Sequence, residues 1–227
     1  MYDITFTAYD GFRCLKQLKI LDLSYNYFND TLLPYLNNLT SLTTLNLGGN
    51  NMGEGLKSVK QAYDGFKCLK QLKILDLSYN YFNATLLPHL NNLTSLTTLN
   101  LGGNNMGEGL KSVKQGLANL TNLKVLNLHR NQINNSLSNL GLKMLRNLEE
   151  LDLSDNGMSG SLTLLGLANL TNLKSLDLSD NQINTSLASL GLQNLKNLEE
   201  LNMAYNGMSG SLTSLGNING NRYLSKF

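Results

Sequence analysis

The sequence predicts an α/β solenoid, a curved parallel β-sheet on a concave face with short helices, 3-10 turns and loops on the convex face. Three observations carry this. The pattern L-x-x-L-x-x-L-x-L-x-x-N recurs eight times, beginning at Leu15, Leu39, Leu69, Leu93, Leu120, Leu145, Leu170 and Leu195, with Met203 alone breaking the leucine pattern. Its closing asparagines, Asn26, Asn50, Asn80, Asn104, Asn131, Asn156, Asn181 and Asn206, follow one another at 24, 30, 24, 27, 25, 25 and 25 residues, the length of one solenoid coil. Within each copy leucine alternates with a polar residue, as in Leu21-Asp22-Leu23, the period-two signature of a short strand with one face buried.

Each element has a physical reason. A coil this small cannot bury its leucines alone, but stacking its strand about 4.8 Å from the next makes a continuous sheet and core. Each closing asparagine falls where the chain leaves the strand. A buried amide there satisfies backbone groups of its own and the adjacent coil, so Asn26 to Asn206 are expected to form a ladder. One further apolar residue follows (Phe28, Met52, Phe82, Met106, Ile133, Met158, Ile183, Met208) and reads as outer core, not as a cofactor box. Above the coils lies duplication: Tyr9 to Gln61 returns almost unchanged as Tyr63 to Gln115, and Gly116 to Leu165 returns, more diverged, as Gly166 to Leu215. The expectation is one domain over 1–227, with eight full repeats over about 12–215 and degenerate terminal segments 1–11 and 216–227. Asn217, Gly220 and Lys226 stand where a ninth coil would need leucine, so that stretch reads as an improvised cap.

Composition narrows the function. A net charge of +2 with 15% charged residues gives no electrostatic reason to expect nucleic acid or an anionic membrane as partner. Met1 to Ala8 has no secretory pattern and no apolar run approaches about 18 residues, so neither a leader nor a membrane span is expected in this chain. Cys14 and Cys68 occupy the same place two coils apart, about 10 Å by strand spacing and beyond disulfide reach, and are expected to be buried free thiols. With His89 and His129 isolated, no four-ligand metal site is expected, and no cofactor. A phosphate-loop lookalike at Gly49 to Ser58 fails because Leu56 separates Gly55 from Lys57. The pairs Glu149-Glu150 and Glu199-Glu200 read as a solvated strand edge, so the chain is expected not to be an enzyme.

Function is therefore sought on the outward strand positions. Stacking places Asp22, Asn46, Asp76, Asn100, Asn127, Asp152, Asp177 and Asn202 in one row, with Tyr25, Gly49, Tyr79, Gly103, Arg130, Asp155, Asp180 and Tyr205 beside it. The candidate ligand-binding set is Tyr25, Tyr79, His129, Arg130, Glu150, Asp152, Asp155, Asp177, Asp180, Glu200 and Tyr205, an acidic strip with aromatic edges suited to a basic or amphipathic peptide. The two C-terminal duplicates differ at 15 of 50 positions, and seven of these fall among ten outward strand positions, so change concentrates on this face. Sequons at Asn29, Asn38, Asn83, Asn92, Asn119, Asn134, Asn169 and Asn184 suit a secreted glycoprotein.

The eight in-frame copies resemble the leucine-rich-repeat superfamily over about residues 12–215. Leu39-Thr40-Ser41-Leu42-Thr43-Thr44-Leu45, Leu170-Thr171-Asn172-Leu173 and Asn156-Gly157-Met158-Ser159-Gly160-Ser161-Leu162 are similar to the ectodomains of plant receptor-like proteins, cell-surface receptors without a kinase domain. That resemblance implies an extracellular module that binds a protein or peptide ligand in defence or developmental signalling, with a co-receptor or kinase as partner. The chain departs from the pattern in lacking a leader, cysteine-bearing caps, a membrane helix and the isoleucine-proline usual near Ser161, which points to a fragment or a designed repeat protein. The alternative is a secreted scaffold comparable to the plant inhibitors of pectin-degrading hydrolases, or a designed scaffold without a receptor role.

Overall fold

The computed structural model describes residues 10–54, 62–114, 116–134, 137–160, 167–185, 190 and 192–208. Eight three-residue strands form one open parallel sheet: β1 (Ile20–Asp22), β2 (Thr44–Asn46), β3 (Ile74–Asp76), β4 (Thr98–Asn100), β5 (Val125–Asn127), β6 (Glu150–Asp152), β8 (Ser175–Asp177) and β10 (Glu200–Asn202). Each pairs in register with the strand one coil away, so Leu21, Leu45, Leu75, Leu99, Leu126, Leu151, Leu176 and Leu201 align as one inward row. The residues on either side of each leucine are thereby turned to the concave surface. Two shorter strands, β7 (Ser159–Gly160) and β9 (Gln182–Ile183), pair with each other after the coil has turned away from the main sheet.

The rest of each coil is short and irregular. It includes 3-10 turns such as Asp30–Asn38, Ala62–Phe66, Leu110–Ser112 and Leu142–Met144, and one α-helical turn, α1 (Leu87–Leu90). Asn29 and Asn83 open two of these turns, each accepting the N–H and hydroxyl of the threonine two residues on. Pro88 sits in the first turn of α1, where a missing N–H costs nothing. The leucine frame fills the space between sheet and convex turns. From Leu32 to Leu190 its members are almost all inaccessible to solvent, each contributing about 1.5–3 kcal/mol on burial.

The ladder forms, with a difference at its first rung. The Oδ1 of Asn50 accepts the Phe28 N–H, while its Nδ2 lies within hydrogen-bond distance of Leu47 O and Gly48 O in its own coil and Leu23 O in the preceding one. Asn80, Asn104, Asn131, Asn156, Asn181 and Asn206 repeat the reach to the preceding coil. Asn26 does not. It is exposed, and among the described residues its amide bonds Leu23 O and Ser24 O of its own coil.

Cys14 and Cys68 correct the sequence reading: both are free, and both are exposed. Each stands immediately before the first leucine of its copy, the place held by Asn38, Asn92, Asn119 and Asn169 elsewhere, and the frame turns that position outward. The cap expected over 216–227 and the opening segment 1–9 lie outside the described residues. Among the described residues, no helix is long and apolar enough to cross a membrane.

Candidate functional site

The row beginning at Asp22 is less available than its position suggests. Asp22, Asp76, Asp152 and Asp177 each accept both the N–H and the hydroxyl of the serine two residues later, at 2.6–2.9 Å. Asn46, Asn100, Asn127 and Asn202 accept the corresponding N–H. One oxygen of every member is thus spent on turning the chain out of its strand. The second oxygen of Asp22, Asp76 and Asp177 accepts the amide of the asparagine one coil on. Asp152 has Asp177 as its register neighbour instead. The bonds from Ser24 hold the Asp22 carboxyl below the usual carboxylate range.

The next row is defined by backbone geometry. Tyr25, Gly49, Tyr79, Gly103, Arg130, Asp155, Asp180 and Tyr205 all have φ between 50° and 68°. In each coil up to the seventh, the N–H of this residue donates to a carbonyl of the following coil, after which the chain bends sharply into the ladder asparagine. A non-glycine residue here costs about 1 kcal/mol or more, yet the conformation recurs in every coil. The strain belongs to the frame and does not by itself mark a site. Its effect is to raise these side chains off the sheet: Tyr25 and Tyr205 are 81% and 82% exposed, Tyr79 48%. Arg130 pairs with Asp155 at 3.7 Å, so the acidic strip expected across this row is partly neutralised at its edge.

A third row lies one residue before the strands. Glu149 is bridged by Lys124 at 2.8 Å and Lys174 at 2.6 Å, whose hydrogen bonds hold its carboxyl down to about 2. Lys174 is raised in turn by the Glu149 hydrogen bond. Glu149 therefore contributes little unpaired negative charge to the face. Beneath it runs a second asparagine row: Asn122, Asn147, Asn172 and Asn197 each donate to a carbonyl of the preceding coil, Thr94, Thr121, Arg146 and Thr171. The spacing of these asparagines was visible in the sequence, but nothing in an exposed Asn-Leu dipeptide announces an inter-coil bond. The two rows line an open groove of about 660 Å³ whose polar groups already bond one another extensively.

The exposed remainder divides the face. Register places Ile20, Thr44, Ile74, Thr98 and Val125 in line with Glu150, Ser175 and Glu200. Ile20 and Ile74 are exposed on the first half; Glu150, Glu200, Asp155 and Asp180 are exposed on the second, with Asp152 and Asp177 half-buried. The structure thus brings the expected residues onto one surface but separates Tyr25 and Tyr79 from the acidic side chains and Tyr205. Asn29, Asn38 and the other six sequon asparagines all lie off the sheet; Asn38 and Asn83 are half-buried and the rest exposed.

Comparison with known proteins agrees with this architecture. The leucine-rich-repeat models match residues 17–39 and 71–93 (Leucine Rich Repeat), 38–58 and 92–112 (Leucine Rich repeat), and 146–190 and 171–219 (Leucine Rich repeats, 2 copies). The chain belongs to the leucine-rich-repeat proteins. It is similar to Receptor-like protein 13 of Arabidopsis thaliana, 40% identical over 123 residues, which is 44% of this chain and 12% of that protein. It is also similar to Receptor like protein 21 of Arabidopsis thaliana, 38% identical over 164 residues, 69% of this chain and 16% of that protein. The matches thus span under a fifth of these curated relatives' length. Among solved structures, PEPR1-AtPEP1 superposes with TM-score 0.64 at 27% identity, covering 86% of this chain and 26% of that one. The TLR13-ssRNA13 complex superposes with TM-score 0.66 at 28% identity, covering 88% and 27%.

Proposed function

We propose that this chain is part of the ligand-recognising surface of a plant receptor-like protein, displayed at the cell surface, where it binds a protein or peptide through the concave face. The observation that carries the reading is the pairing of a rigid interior with a chemically varied surface. Ladder asparagines as buried as Asn131, 0% exposed, fix the strands, while Tyr25, Tyr79, Tyr205, Glu150 and Glu200 project from them. The resemblance to receptor-like proteins supports a role in defence or developmental signalling with a co-receptor or kinase as partner. The TLR13 neighbour is crystallised with RNA, but the acidic second half of this face repels a polyanion and suits a cationic ligand. Glycans at the sequons, all off the sheet, would leave the concave surface open.

The test is capture from plant extracellular fluid on immobilised chain, comparing the unaltered protein with Asp152, Asp155, Asp177 and Asp180 all changed to Asn. The expected result is a specifically retained protein or peptide whose affinity and salt dependence fall in the fourfold variant. Retention that survives this change but is lost on substitution of convex residues around Ser159 or Asn184 would show the repeats to be chiefly a spacer.

A further inference from the structure

Tyr25 and Tyr79 occupy the same place in two nearly identical segments, and the structure treats them differently. Both lie over a glycine of the following coil, where a Cβ on Gly49 or Gly103 would come 2.7 Å from the ring Cδ1. One coil beyond Gly48 stands Ser78; one coil beyond Gly102 stands His129. The Tyr79 hydroxyl is 3.1 Å from His129 Nε2, and the rings meet edge-on at 5.6 Å. Gly102 makes room, since a Cβ there would overlap the imidazole. On its other side His129 Nδ1 is 3.0 Å from Asn127 Oδ1, an oxygen that also accepts the His129 backbone N–H. Nδ1 faces an acceptor, and the tautomer with its proton there leaves Nε2 to accept from the Tyr79 hydroxyl. Tyr79 is therefore tethered across β4, while Tyr25 has no such histidine beyond its glycine.

A tethered aromatic loses less rotamer freedom when a ligand covers it, which is what distinguishes a binding anchor from an exposed ring. This one stands where the bends of the third, fourth and fifth coils meet, against Gly103 and His129, with the carboxylates of Asp152 and Asp177 on the coils beyond. We propose that Tyr79 and His129 form the anchor of the concave face, and that its ligand is an extended peptide with an apolar or aromatic residue on that anchor and a basic residue about four positions away over Asp152 and Asp177. The spacing follows from geometry. From β4 to β8 is three strand spacings, about 14 Å, and extended backbone advances about 3.3 Å per residue. Charge complementarity selects the basic residue, and the inference rests on the concave-face reading above.

The test is fluorescence anisotropy with labelled, end-capped glycine-serine peptides carrying one Phe and one Arg, zero to eight residues apart in both orders, titrated with the full chain. Affinity is expected to peak near a separation of four and to disappear when Arg is replaced by Glu. It should fall at least about tenfold in Tyr79→Ala and fall less in His129→Ser and in Tyr25→Ala, with all variants melting cooperatively. Equal responses of the two tyrosine variants, or affinity indifferent to separation, would overturn the anchor while leaving the concave reading standing if the fourfold Asp→Asn variant still weakens binding. Binding unaffected by every concave variant would overturn both, and absence of binding by any peptide in the series would overturn the ligand class.

Discussion

The first four coils and the last four share one interior and present two different surfaces. In the first half the row before the strands is held by neutral bonds, with the Thr43 and Thr97 hydroxyls donating to the carbonyls of Lys19 and Lys73. Its aspartates, Asp22 and Asp76, are each closed by an asparagine on the next coil. In the second half the same positions carry the Lys124–Glu149–Lys174 chain of charges, and Asp152 faces Asp177. A leucine frame fixes which positions are buried and leaves the outward ones free to take any chemistry. Identical coil geometry can therefore present a zone held by neutral bonds beside one held by ion pairs.

The shared interior gives the largest expected effect. Asn80→Ala and Asn131→Ala should each cost about 1–3 kcal/mol, because each leaves a buried backbone N–H, that of Met52 or Met106, without its acceptor and removes one of two donors from the carbonyls its amide reaches, which at Asn131 are Leu101 O, Leu128 O and His129 O. Asn26→Ala, exposed and bonded within its own coil, should cost clearly less. Urea titration of the three variants measures this. Unequal costs at Asn80 and Asn131 would break the claim that both halves rest on the same ladder.

A smaller effect probes the sharp turn common to both. Gly49→Ala and Gly103→Ala place a side chain at φ 68° and 66° and against a tyrosine ring, and each should destabilise by about 1 kcal/mol or more. Thermal melts should show part of the Gly103→Ala penalty relieved when Tyr79→Ala is added, since that removes the ring contact and leaves the backbone strain.

The ionic half should answer to acid. The Glu149 carboxyl is lowered from 4.5 to about 2, so its contribution is present above its unfolded value and is lost as pH falls from about 4.5 through about 2. Melting temperature over that window, at low and high salt, should change less in Glu149→Gln than in the unaltered chain. Because these groups are exposed, the difference should shrink with salt. An unchanged profile would mean the charge chain has no thermodynamic role.

The fold was legible because its cause is periodic: leucines and closing asparagines at coil spacing specify strand register without any long-range information. The ladder departs from the periodic expectation at Asn26, whose amide bonds within its own coil. The exposure of Cys14 and Cys68 follows frame position and not residue type, and the asparagines at equivalent places mark that position as outward. The candidate face was legible as a surface, but its pairings were not. Bonds such as Tyr79 to His129, and Lys124 and Lys174 to Glu149, join residues 50 and 25 positions apart whose side chains meet only when coils stack. The glycines that admit His129 and Tyr79 are the trace such contacts leave in a sequence, and they are interpretable only once the neighbouring coil is in place.

The central claim is that recognition takes place on the concave face, and hydrogen–deuterium exchange with the ligand captured from extracellular fluid tests it most directly. The expected result is ligand-dependent protection in the outward bends around Tyr79, Gly103, Arg130, Asp155 and Asp180, strongest between Tyr79 and Asp177, with convex turns such as Leu110–Ser112 and Leu142–Met144 unchanged. Protection confined to those convex turns, with the bends exchanging as in the free chain, would contradict it.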